Sequence, residues 1–288
     1  MVTSKILREA KDLGNFLSKP VRIAIVVLML LLVLFPFYWL VSNALKTSQE
    51  YFASPPILFP YEATFKNFVS IFTQDRALVG LVNSLIISAV TTLITVVGGT
   101  MAAYSLINGA LPKRLKYVMA TWFLVQKMYP AVVISVPVFF VVQQLHMIDT
   151  RTSLIIMNTS FNLPLVILLM IGFYSEAPFE IEEQAILDGC NLFQRYARVT
   201  TPMVKAGIIA VGILTFIGTW NEFLYAVILT NLRATPITVI ITGFITDKGL
   251  EWGPMAAMGC AVVLPVLIIM WAAQKNFISG VSAGALKV

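Results

Sequence analysis

Two sets of residues in this chain carry chemistry that their surroundings do not explain. The first lies between positions 176 and 205, where Glu176, Glu180, Glu182, Glu183 and Asp188 crowd carboxylates between long apolar runs. Pro178 can open a helix there, because its missing N–H is tolerated in the first turn. Asp188-Gly189 is a turn signal, since glycine takes positive φ without a Cβ clash. Asn191, with Gln194 three residues on, has the pattern of a reciprocal helix cap. Leu192, Phe193 and Tyr196 give the following helix an apolar stripe, and Pro202 marks its end or the entry to the next apolar run. The segment reads as helix, glycine turn, helix, with aromatic side chains available for docking.

The second set consists of polar and aromatic groups embedded in apolar runs: Gln126, Lys127, Tyr129, Asn162, Trp220, Asn221 and Glu222, together with Asn83 and Asn158. Sugars suit such a lining, because hydroxyls need hydrogen-bond partners and ring faces can lie on aromatic side chains. Asn83 and Asn158 are expected to join helices to one another instead. Lys127 has three readings. It pairs with Glu222, it faces a water-filled cavity beside a bend at Met128-Tyr129-Pro130, or it attracts an anionic solute.

The elements that hold these residues are set by hydropathy. Of 288 residues, 58% are hydrophobic and 12% are charged, and the mean hydropathy is +0.86. Soluble domains carry about 25% charged residues, so most side chains here avoid water. A spanning helix needs about 20 mostly apolar residues. Six stretches qualify: Ile23 to Leu45, Ala77 to Pro112, Tyr117 to Leu145, Thr152 to Ser175, Ala206 to Leu232, and Trp252 to Gln274. The expected fold class is an all-α membrane protein with about six transmembrane helices, a tail at 1–22, a membrane domain at 23–274 and a tail at 275–288. Ile6, Leu7, Ala10, Leu13 and Leu17 recur at helical spacing among basic residues, as an interfacial helix requires.

Six spans put both termini on one side, and basic residues choose it. Lys5, Arg8, Lys11, Lys19, Arg22, Lys113, Arg114, Lys116, Arg195, Arg198, Lys205, Lys275 and Lys287 fall on one face. Lys46, Lys66, Arg76, Arg151, Arg233 and Lys248 fall on the other. The richer face is expected to be cytoplasmic, in a bacterial inner membrane. The net charge of +6 is thereby accounted for without nucleic acid. The loops at 46–76 and 231–251 are expected outside. The acidic 176–205 segment lies inside, where anionic lipid would repel it, so a protein partner is the better expectation.

The same segment resembles the permeases of ABC importers. Their cytoplasmic motif is Glu-Ala-Ala, three residues, Gly, nine residues, Ile-x-Leu-Pro. Here Glu183-Gln184-Ala185, Gly189 and Val199-Thr200-Thr201-Pro202 keep that spacing, with Gln184, Val199 and Thr201 as departures. Trp220-Asn221-Glu222-Phe223 and the tail Gly280 to Lys287 are similar to the carbohydrate, maltose-type branch. The resemblance implies a pore shared with a homologous second permease, two ATPase subunits and a substrate-binding protein. It implies that Glu183, Ala185, Asp188, Gly189, Phe193 and Pro202 belong to coupling helices seated in the ATPase, with Glu183 pairing a basic group there. It implies no cofactor in this chain, ATP and Mg being held by the partners. The chain has no Gly-x-x-x-x-Gly-Lys-Ser/Thr loop of its own, and no catalytic or metal cluster converges in its spans. An ion-coupled secondary transporter or channel is the rival reading, with Lys127 and Glu222 as its ionisable residues.

Overall fold

The structure is a computed structural model that describes residues 19–73, 76–246 and 249–285. The expected interfacial helix before residue 18 lies outside the described residues, as do the end of the C-terminal tail and Lys248.

Helices dominate. In chain order they are α1 (Lys19–Leu45), α2 (Lys66–Thr73), α3 (Arg76–Asn108), α4 (Lys113–Met128), α5 (Ala131–Gln144), α6 (Arg151–Ser175), α7 (Phe179–Leu187), α8 (Leu192–Gln194), α9 (Thr201–Met203), α10 (Lys205–Trp220), α11 (Leu224–Leu229), α12 (Ile237–Ile240) and α13 (Trp252–Ala285). A two-residue antiparallel ribbon pairs Ile245 with Leu250 and Thr246 with Gly249. Among the described residues, four helices are long and apolar enough to cross a membrane: α1, α3, α6 and α13 over Trp252–Gln274. Two bent pairs bring the number to six if each is one span. The 33 residues of α3 rise about 50 Å at 1.5 Å per residue, more than the roughly 30 Å hydrocarbon core.

Four stretches depart from a plain reading of six straight spans. The run from Tyr117 to Leu145 is not one straight helix, since α4 and α5 meet at 95°. Tyr129 is extended (φ −73°, ψ 129°), as the residue before a proline prefers. The second bent pair joins Leu192–Met203 to α10 at 84°, and a π-helical turn over Arg195–Thr200 precedes it. The run from Ala206 to Leu232 is not continuous either. It ends as a helix at Trp220 and restarts as α11, because the Glu222 carboxylate takes the N–H groups of Tyr225 (2.7 Å) and Ala226 (3.1 Å). Those are the donors a new helix leaves open in its first turn. Finally, α13 passes Gln274 and runs on to Ala285, since no proline interrupts it there.

Packing divides the chain into two compact units. In the unit made of residues 1–77, 241–264 and 282–288, α1 exposes Leu30 to Leu34. Such a side-chain surface suits hydrocarbon, and the helix satisfies its own backbone. The loop after α1 is tied down by Glu50, which accepts bonds from Thr47 N–H (2.8 Å), Thr47 hydroxyl (3.0 Å) and Tyr61 N–H (2.6 Å). Ser42 and Tyr38 donate to the carbonyl of Leu58 at 2.8 and 2.6 Å.

The unit made of residues 78–240 and 265–281 holds both candidate sets of residues. One core gathers Ala103, Tyr104, Val166, Ile167, Met170 and Val211 from α3, α6 and α10. Another gathers Ile87, Val142, Leu154, Tyr225 and Leu229 from α3, α5, α6 and α11. Gly207 lets α10 approach closely, since a Cβ there would stand 2.5 Å from the Phe173 ring. Asn83 donates to the carbonyls of Arg233 (2.9 Å) and Thr235 (3.0 Å) and accepts from Arg151 Nε (2.7 Å), so it joins segments, as expected. Asn158 instead bonds the Leu154 carbonyl of its own helix at 2.9 Å.

Candidate functional site

The hairpin between α6 and α10 is built by local chemistry. Pro178 precedes α7, and Gly189 takes φ +79°, a conformation that costs an L-residue roughly 1–2 kcal/mol. The N–H groups of Gly189 and Cys190 close the turn onto the carbonyls of Ile186 and Ala185, both at 3.0 Å. Asn191 and Gln194 cap each other reciprocally: Asn191 N–H donates to the Gln194 side chain and Gln194 N–H to the Asn191 side chain, both at 2.9 Å.

A residue that sequence reasoning passed over fixes this hairpin to the bundle. Glu182 is 5% exposed. It receives the Tyr104 hydroxyl from α3, the Thr200 hydroxyl at 2.6 Å and the Arg195 guanidinium at 3.0 Å. The Glu182–Arg195 pair is the one salt bridge among the described residues. Tyr104 itself packs its ring against Tyr174 (5.6 Å) and Tyr196 (5.4 Å), and the Tyr196 hydroxyl meets Thr100 at 2.9 Å. Both helices of the hairpin are thus pinned to α3 by one carboxylate and its aromatic surround. Glu182 and Glu183 are neighbours of identical type, and only the helical position, with Tyr104 remote in sequence, separates the anchor from the exposed residue.

The six residues assigned to coupling divide by exposure. Ala185 is buried under the hairpin. Glu183, Asp188, Gly189, Phe193 and Pro202 are exposed. Phe179, Ile186, Leu187 and Phe193 present large apolar surfaces on the same hairpin, beside the exposed carboxylates of Glu180, Glu183 and Asp188. An exposed apolar face with an acidic rim is what a protein partner requires.

The residues expected along a substrate path separate into three places. Gln126 and Tyr129 line a groove of about 380 Å³ with Trp122, Phe161, Pro164 and Tyr225. Asn162 and Trp220 are packed inside. The Asn162 amide donates to the Asn158 carbonyl at 2.9 Å, and Trp220 is 2% exposed and stacked on Phe216 at 5.8 Å between centroids. Asn221 is exposed at the end of α10, and Glu222 caps α11. The pairing of Lys127 with Glu222 is not formed. The Glu222 carboxylate is committed to backbone N–H groups, and the Lys127 ammonium instead stands 4.1 Å from the centroid of the Phe161 ring. Trp122, Phe161 and Tyr225 were not among the expected residues, because aromatic side chains in an apolar run look the same whether they face lipid, core or groove.

A further charged group organises the turn after α11. The Asp149 carboxylate accepts the N–H groups of Asn231, Leu232, Arg233 and Ala234 at 2.9–3.2 Å. Desolvation pushes its pKa up, but these four donors outweigh it and hold the carboxyl below its ordinary value.

Bent apolar spans, a capped and anchored hairpin and an aromatic groove define a polytopic transport protein of helical class. The family described as binding-protein-dependent transport system inner membrane component matches residues 96–276, and the chain belongs to that family, as a multi-pass inner-membrane permease. It is 31% identical over 257 residues to the trehalose transport system permease protein SugB of Mycobacterium tuberculosis, covering 88% of this chain and 92% of that one. It is 28% identical over 279 residues to the sulfoquinovosyl glycerol transport system permease protein SmoH of Agrobacterium fabrum, covering 96% of each. Among solved structures, a bacterial ABC transporter involved in the import of the acidic polysaccharide alginate aligns with a TM-score of 0.77 and 20% identity, covering 94% of this chain and 98% of that one.

Proposed function

We propose that this chain forms half of a translocation pathway for a saccharide, delivered by a substrate-binding protein and driven by ATP hydrolysis on separate subunits. The observation that carries the proposal is the anchored hairpin. Its exposed apolar and acidic face is free to dock, while Glu182 fixes it to α3 so that a push on the hairpin moves a spanning helix. Glu183, Ala185, Asp188, Gly189, Phe193 and Pro202 form or shape that docking element, and Glu183 pairs with a basic group of the ATPase. Closure of the ATPase dimer rocks the spans between inward-open and outward-open states, a rigid-body switch that loaded binding protein biases from the other side. ATP and Mg stay on the ATPase, and a homologous permease supplies the other half of the pore. The hairpin and both termini face the cytoplasm, in keeping with the basic residues on that side. The domain limits at 1–22, 23–274 and 275–288 are organised accordingly, with α13 extending toward the ATPase.

Sugar as cargo is supported by the groove, where Trp122, Tyr129 and Phe161 give ring faces and Gln126 gives hydrogen bonds. Relatives named for trehalose and sulfoquinovosyl glycerol point the same way. The test is uptake of radiolabelled di- and oligosaccharides by cells with and without the gene. ATP-dependent, binding-protein-dependent accumulation supports the proposal. Uptake that needs an ion gradient and no ATPase would place the protein with ion-coupled transporters instead.

A further inference from the structure

Lys127 sits in the last turn of α4, within an apolar run read as a membrane span. A lysine at mid-membrane costs about 2.5–3.5 kcal/mol even by the more lenient measure, so its retention calls for a compensating partner. Among the described residues no carboxylate provides one. The single salt bridge is Glu182–Arg195, and Glu222 is spent on the first turn of α11. What Lys127 has is the face of Phe161 at 4.1 Å and the carbonyl end of α4. A cation–π contact and a helix terminus offset part of the cost but leave the charge in place.

That charge is next to the groove. Phe161 is one of the groove's walls, and Gln126 and Tyr129, on either side of Lys127 in the chain, line it as well. The lining has aromatic faces for sugar rings and an amide for hydroxyls, yet no acid among its residues that would repel an anion. We infer that the cargo is an anionic saccharide, a uronate or comparable acidic sugar, whose carboxylate is drawn by Lys127 while its ring lies on the Phe161 and Tyr129 side of the groove. The inference rests on the proposed saccharide pathway and adds the class of sugar. A charge-assisted hydrogen bond in a water-poor path is stronger than a neutral one, so the ammonium selects acid over neutral forms of the same ring.

The test compares uptake by the complete importer of galacturonate and mannuronate di- and trisaccharides with their carboxyl-reduced, neutral counterparts. The wild-type importer is expected to favour at least one acid form over its reduced counterpart by about tenfold or more, the size of one charge-assisted bond. Lys127→Gln should bring that ratio close to one, the acid form losing far more uptake than its reduced counterpart, and Lys127→Arg should preserve most of the preference. Equal uptake of acid and neutral forms by the wild type would overturn the inference and leave the saccharide pathway standing. Failure to import any saccharide would sink the pathway itself. A Lys127→Gln importer that no longer assembles with its second permease would also overturn the inference, since the lysine would then be pairing with that subunit rather than with cargo.

Discussion

Removing the Glu182 carboxylate should uncouple the hairpin from the membrane bundle. Glu182→Ala deletes the acceptor for Tyr104, Thr200 and Arg195 together and leaves the Arg195 side chain 14% exposed with no counter-charge. Breaking a buried ion pair from one side costs about 3–5 kcal/mol, a large share of the 5–15 kcal/mol that typically holds a domain together. Glu182→Gln keeps an acceptor oxygen but no charge. Bonds to charged groups contribute roughly 1.5–3 kcal/mol and neutral ones roughly 0.5–1.5, so this variant should lose about 1–2 kcal/mol. Limited proteolysis between Ser175 and Met203 in detergent should therefore accelerate strongly for Ala and mildly for Gln. Glu182→Ala combined with Arg195→Met should recover part of the loss, because the stranded cation is gone. In membranes, the Ala variant should still assemble with its ATPase yet transport poorly. If Glu182→Ala leaves both protease resistance and transport at wild-type levels, the anchoring role is refuted.

Gly189→Val should impose a strain of roughly 1–2 kcal/mol at the φ +79° turn, where nothing lies within 4 Å of an added Cβ, so transport should fall sharply while membrane insertion measured by blotting is unchanged. Glu183→Lys, on the exposed face, should reduce ATPase co-purification without altering the thermal stability of the isolated chain. Acidification should loosen the turn at 231–234. The folded-state pKa of Asp149 is depressed, so its contribution is present above the ordinary carboxylate value of about 4 and fades as pH falls through the folded value. Asp149→Asn should abolish that pH dependence in hydrogen exchange. Cysteines placed at exposed Lys66 and Lys113 should react with an impermeant thiol reagent from the outside only and after permeabilisation only, respectively. The opposite pattern would reverse the topology.

The features that were legible in the sequence are those decided by a few adjacent residues. Pro178, Gly189 and the Asn191–Gln194 pair specify the hairpin because capping and positive φ act within three or four positions. A bend at Met128-Tyr129-Pro130 was only one of three readings around Lys127, and the 95° break lay beyond what hydropathy shows. The break after Trp220 was hidden. Hydropathy is continuous through Leu232, and the event that ends α10 is a carboxylate capturing backbone donors, which leaves no trace in an apolar average. Glu182 was hidden for a different reason: what buries it is Tyr104, 78 residues away in the chain. The groove was half visible, since Gln126 and Tyr129 stood out as polar residues in an apolar run. Trp122, Phe161 and Tyr225 did not, because aromatic residues are ordinary in spans. Asn162 and Trp220 looked like lining and are buried, Asn162 on the Asn158 carbonyl and Trp220 against Phe216.

The central claim is that the exposed hairpin delivers the force of an ATPase to the spans. A photo-crosslinking amino acid at Phe193, which is 64% exposed, tests it most directly, with one at Tyr61, 83% exposed on the loop assigned to the other side, as control. The account predicts that Phe193 yields an adduct with a subunit carrying a phosphate-binding loop, that the adduct changes with ATP, and that Tyr61 yields none with that subunit. Adducts of Phe193 with lipid alone, with or without ATP, would contradict it.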